Sequence, residues 1–146
     1  MKKKVLLAAE FSEQVIEDQA AFKLDLAQSD IPDLCLSLCL LREELVSQVC
    51  LQSNGKLGLC LERSESTNNR LVRSPTLSLQ MTRTELERLV YFFLTYYRDG
   101  WADVDHIDVE ADDDVPNRMA AYVIFVVPAY KPPVSADEAK RRLGID

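Results

Sequence analysis

The sequence predicts an α+β domain: an antiparallel sheet covered on one face by one long helix at about 83–98, with a short helix at about 136–143. Three observations carry that prediction. Apolar residues alternate with a period of two through much of the first half. One stretch, 82–100, has helical spacing and a cap at each end. Two further alternating runs follow it. A chain of 146 residues fits one domain, 1–146, with a core large enough to need no staples.

Lys4–Glu10 and Ala20–Ala27 read as strands, the second on the alternation of Phe22, Leu24 and Leu26. Leu34, Leu36, Leu38 and Leu40 alternate with Cys35, Ser37 and Cys39 and predict another strand. Residues 42–46 fit a helical turn or the start of the next strand. A hairpin follows, with Ser53-Asn54-Gly55 as a three-residue loop and Gly55 at positive φ. That loop pairs Gln52 with Lys56, Leu51 with Leu57 and Val49 with Leu59. It places Val49, Leu51, Leu57, Leu59 and Leu61 on one face, and Cys50, Gln52, Gly58, Cys60 and Glu62 on the other. A two-residue turn would shift the register by one and mix the two sets. The polar stretch Ser64–Pro75 predicts a mobile loop at about 64–75, and no internal repeat is legible.

The helix after it is the clearest element. Thr82 is a good N-cap, Glu85 completes a capping box, and Met81 can staple onto Leu86. Leu86, Leu89, Val90, Phe93, Leu94 and Tyr97 form an apolar stripe that suits the leucine face of the sheet. Gly100 stops the helix. In the strand Asp105–Ala111, Ile107 and Val109 point one way while His106, Asp108 and Glu110 point the other. Met119–Val127 is apolar on both sides and reads as a central strand. Ser135 and Glu138 cap the last helix, where Lys140, Arg141 and Arg142 oppose the dipole.

The charge is concentrated. Asp99–Asp114 holds eight carboxylates, no Lys or Arg, and the only histidine, His106; the net charge is −7, so the remaining residues sum to +1. A single-sign patch of that density favours a cationic partner. The acidic balance argues against nucleic acid, whose phosphates are neutralised by Lys and Arg. The apolar run Val5–Ala9 is shorter than a signal peptide needs, and no run is long enough to span a membrane. A soluble, cytoplasmic protein is expected. Cys35, Cys39, Cys50 and Cys60 have neither C-x-x-C spacing nor matching histidines, so reduced structural thiols are expected in place of a zinc site.

No nucleophile elbow, P-loop, dinucleotide fingerprint or H-E-x-x-H motif is present. No catalytic residue, metal or cofactor is assigned. His106, Asp108 and Glu110 share one side of a strand, about 7 Å between neighbours. That spacing can serve Mg²⁺, Mn²⁺ or Ca²⁺, but a solvated outer face is the simpler expectation. Asp103 and Asp105 resemble the paired carboxylates of nucleotidyl transfer, without the glycine-rich phosphate cradle that chemistry uses. Tyr91, Phe92, Tyr96 and Trp101 lie beside or behind the main stripe; burial of the helix on two sides is the simpler expectation, and an interface, where Tyr and Trp are enriched, is the alternative.

The expected function is therefore a non-catalytic protein-binding module, a small acidic inhibitor or neutralising protein of the immunity or anti-defence kind. Its partner is a cationic protein, met through His106, Asp108, Glu110, Asp112, Asp113, Asp114, Tyr91, Tyr96 and Trp101. Two alternatives stand beside it. One is a metal-dependent hydrolase or phosphotransfer enzyme using the His/Asp/Glu strand face. The other is a self-associating structural or regulatory subunit, a homodimer through the aromatic helix.

Overall fold

The computed structural model describes residues 2–7, 10–16, 19–53, 56–99, 104–115, 120–128 and 136–144. Its strands are β1 (Lys2–Leu7), β2 (Glu10–Ile16), β3 (Gln19–Asp25), β4 (Val46–Ser53), β5 (Lys56–Arg63), β6 (Arg70–Val72), β7 (Ser78–Met81), β8 (His106–Asp113) and β9 (Ala121–Val126). Its helices are α1 (Ile31–Arg42), α2 (Arg83–Asp99) and α3 (Ala136–Leu143).

The leucine–cysteine run folds as helix α1 and corrects the expected strand. Pro32 stands in the first turn with Asp33, and Arg42 stands in the last, all where a helix favours them. Ile31, Leu34, Cys35, Leu38 and Leu41 are buried at spacings of three and four. Alternation every two residues had hidden that spacing, because leucine also fills the exposed position 36. Buried Ser37 satisfies its hydroxyl inside the helix by donating to the Asp33 carbonyl (2.6 Å). Helix α1 runs antiparallel to α2. Arg83 reaches Glu43 at one end of the pair, and Cys35 Sγ meets the Val90 carbonyl further along.

The sheet is mixed, not antiparallel, in the order β1-β4-β5-β7-β6-β8-β9-β3-β2. The sequence-local pairs β2/β3, β4/β5, β6/β7 and β8/β9 are antiparallel. The long-range pairs β1/β4, β5/β7, β6/β8 and β3/β9 are parallel. One long helix on an antiparallel sheet is thus corrected on two counts: parallel pairing and a second core helix. The stretch expected as a loop at 64–75 contains β6, which lies inside the sheet between β7 and β8.

Hairpin, helix, hairpin occurs twice, as β2-β3-α1-β4-β5 and β6-β7-α2-β8-β9. Exchanging the halves carries the parallel pair β3/β9 onto β7/β5. This pseudo-repeat lies in topology alone, which is why the sequence does not show it. Strands β1 and β2 end the sheet order on opposite sides, yet only residues 8 and 9 separate them. Three residue steps span at most about 11 Å. The two edges are therefore drawn together, β2 also touches β4, and the sheet curls as a half-barrel.

One hydrophobic cluster joins the sheet's inner face to both helices. Phe22, Leu24, Leu51, Leu59, Val109 and Phe125 meet Leu34 and Leu38 of α1 and Leu89 and Phe93 of α2. Phe93 packs edge-on to Phe125 at 6.0 Å.

The β4–β5 hairpin keeps its expected faces with a corrected register. Ser53 pairs with Lys56, Leu51 with Leu59, Cys50 with Cys60 and Val49 with Leu61, with a bulge between Leu51 and Ser53. The bulge absorbs the one-residue shift of the tighter connection, so Val49, Leu51, Leu59 and Leu61 all still face the core. Gly58 occupies it because a Cβ there would lie 1.8 Å from the Leu51 carbonyl oxygen. The same register joins Cys50 and Cys60 in a disulfide, correcting the expectation of four reduced thiols; Cys35 and Cys39 are free. Among the described residues no helix is long and apolar enough to cross a membrane.

Candidate functional site

Strand β8 alternates strictly. Ile107, Val109 and Ala111 are buried, whereas His106, Asp108, Glu110 and Asp112 are exposed. On one side β8 pairs with β9 from His106 to Ala111. On the other it pairs with β6 only at Asp112 and Asp113. Among the described residues the edge from His106 to Glu110 has no strand beside it, and side chains cap its carbonyls instead. Arg88 of α2 donates to the Asp108 carbonyl, and Asn69 Nδ2 donates to that of Glu110 (3.1 Å).

Asn69 also ties this edge to the start of α2. Its carbonyl accepts from the Asp112 N–H (2.9 Å), and its Oδ1 accepts from the Thr82 N–H (3.0 Å). The Thr82 hydroxyl caps the helix by accepting from the Glu85 N–H (3.1 Å). Between these pieces lies a groove of about 610 Å³, whose walls include Asn69, Glu85, Arg88, Asp108, Glu110 and Asp112. Arg88 is engaged bidentately by Glu85 at 3.0 and 2.8 Å. Among the described residues Glu110 and Asp112 have no cation within ion-pair distance.

His106 closes one end of the row. Its Nδ1 lies 2.9 Å from Asp105 Oδ1 and its Nε2 3.8 Å from Asp108. The Asp105 hydrogen bond, helped by the negative charge of Asp108 and Asp105, raises the imidazole's proton affinity. The same hydrogen bond lowers the pKa of Asp105.

Asp113 and Asp114 do not belong to the outward row. Asp113 has the parity of Val109 and Ala111, and its carboxylate is 0 % exposed. Arg73 grips it bidentately, Nε to Oδ1 at 3.2 Å and Nη2 to Oδ2 at 3.0 Å, and the Val115 N–H also donates to Oδ1. Asp114 accepts from the Arg73 backbone N–H at 3.0 Å. Arg73 further reaches Glu13 of β2 at 3.5 Å and lies over the Phe22 ring of β3, 5.4 Å from its centroid. Sequence reasoning missed Arg73. The signal was parity: a carboxylate in step with Val109 and Ala111 points inward and needs a cation.

The aromatic candidates separate. Tyr91 is exposed. Tyr96 is buried with Leu86, Leu89, Val90 and Phe93, and burial raises its pKa. Trp101 lies outside the described residues. Leu94 and Tyr97, expected in the core stripe, are exposed. Apolar residues stand side by side at 93–94 and 96–97, so two arcs of α2 are nearly equally apolar, and the packing of α1 decides between them.

Among the described residues no group of three His, Cys, Asp or Glu side chains is arranged to hold a metal ion. His106, Asp108 and Glu110 run along the strand without converging. What the arrangement offers chemically is a line of carboxylates beside an open polar groove. No protein-family model, curated protein or solved structure matches this chain.

Proposed function

We propose that this chain is a non-catalytic protein-binding module, an acidic inhibitor or neutralising protein, whose β8 outer row receives a cationic partner protein. The observation that carries the reading is the row itself: Asp108, Glu110 and Asp112 stand exposed on one face, and among the described residues two of them have no cation within ion-pair distance. The groove next to the row gives long Lys or Arg side chains a place to lie along Asn69 and Glu85. Uncompensated carboxylates on a rigid strand steer such a partner from a distance, an effect that salt weakens.

The test uses a lysine-rich peptide as probe, with binding to the immobilised full chain followed across salt concentration. Asp108→Asn, Glu110→Gln and Asp112→Asn together should slow association and flatten its salt dependence. Removing equal charge at Glu43, Glu65 and Asp137 should do so much less. Equal effects from the two variants would show that only net charge matters and would overturn the reading.

A further inference from the structure

The outer side of α2 carries a second surface, separate from the β8 row. Glu87, Tyr91, Leu94 and Arg98 follow at i, i+4, i+7 and i+11, which places them along one side of the helix. Tyr97 flanks them. Tyr91 is 73 % exposed, Tyr97 60 % and Leu94 52 %, and both charged side chains are at least half exposed. The opposite side of α2 is already spent on the core through Leu86, Leu89 and Phe93.

The order of chemistry along this strip is acid, aromatic, aliphatic, cation. Turned end for end, the strip complements itself. Laid antiparallel on a second copy, Glu87 meets the partner's Arg98, and Tyr91 meets the partner's Leu94. A two-fold interface requires this kind of self-complementary patch. Antiparallel α2 helices would also oppose their macrodipoles favourably. A segment of uniform charge would meet repulsion at one end of the strip, so the charge order selects a second copy over the cationic partner of the β8 face. The ion pairs the two charges now make, Glu87 with Arg83 at 3.2 Å and Arg98 with Asp99 at 2.9 Å, are exposed, and such pairs contribute little and exchange readily. We propose that the Glu87–Tyr91–Leu94–Arg98 strip is an antiparallel homodimer interface.

Sedimentation equilibrium of the full chain tests it, with circular dichroism confirming that each variant folds. The wild type should dimerise. Glu87→Arg and Arg98→Glu should each weaken dimerisation by about tenfold, since each sets like charges face to face. The two changes combined should restore it, because the ion pair re-forms with its members exchanged. Leu94→Arg should give a monomer. A wild type that stays monomeric at all concentrations overturns the proposal. So does a dimer that persists in Leu94→Arg, or a double reversal no tighter than the single ones.

Discussion

Arg73 holds the carboxylate of Asp113 in a bidentate pair across the junction of β6 and β8, and that carboxylate is wholly buried. The junction is short, with only Arg70–Asp112 and Leu71–Asp113 in register. It is also where the second hairpin-helix-hairpin unit closes on itself. The same guanidinium reaches Glu13 on β2 and the ring of Phe22 on β3. A single side chain thus braces β6 and β8 against the far end of the curled sheet.

Replacing that side chain strands the buried carboxylate. Arg73→Met should cost about 3 kcal/mol, the low end for breaking a buried pair, because Arg73 itself keeps some contact with solvent. Urea unfolding of the variant and the wild type measures the difference. A loss below about 0.5 kcal/mol, the scale of an ordinary surface change, would contradict the burial of Asp113.

Asn69 is the hinge pin of the groove. Asn69→Ala removes its amide bonds to the Glu110 carbonyl and the Thr82 N–H. The expected cost is about 1–2 kcal/mol, since both backbone partners lose a bond. Amide hydrogen exchange should quicken at Thr82 and along the edge of β8. Unchanged exchange at Thr82 would show that the side chain does not hold the helix start.

The histidine gives a pH signature with a definite sign. His106 has a folded pKa above its ordinary 6.5, so its stabilising contribution is fully present below that ordinary value. It is lost as pH rises through the raised folded value. Asp105, lowered from 3.8 by the same bond, contributes above that value and loses its contribution as pH falls through the depressed one. An NMR titration of the imidazole should show the raised pKa, and Asp105→Asn should bring it down. An imidazole that titrates unchanged in the variant would contradict the pairing.

Gly58 tests the bulge. Gly58→Ala drives a methyl group against the Leu51 carbonyl oxygen, which is backbone and cannot rotate away. The expected loss is about 2 kcal/mol, as for overpacking of a tight site. Thermal unfolding measures it, and a variant as stable as the wild type would rule out this register.

Much of the fold was legible where it is local. The capped helix α2, the faces of the β4–β5 hairpin and the outward row of β8 all follow from spacing over a few residues; β9, expected to be covered on both sides, is buried only at Ala121, Val123 and Phe125. The parallel pairs were not legible, because they join strands far apart in the chain. With them went the Arg73–Asp113 pair, 40 residues apart, which depends on β6 lying beside β8. Helix α1 was misread because Leu36 completes an alternation as well as the helical face does. Cys50–Cys60 was hidden because the tighter turn and the bulge each moved the register by one. Of the candidate site, parity alone would have sorted Asp112 outward from Asp113 inward.

The most direct measurement on the proposed partner face is a backbone amide chemical-shift titration of the full chain with a lysine-rich peptide. The largest changes should fall along His106–Asp112, at Asn69 and at Glu85, and should fade with added salt as screening shortens the field. They should leave Leu36 on α1 and Tyr91 on α2 unmoved. Saturable changes centred on any other surface, with the β8 row silent, would contradict the assignment of that row as the partner-binding face.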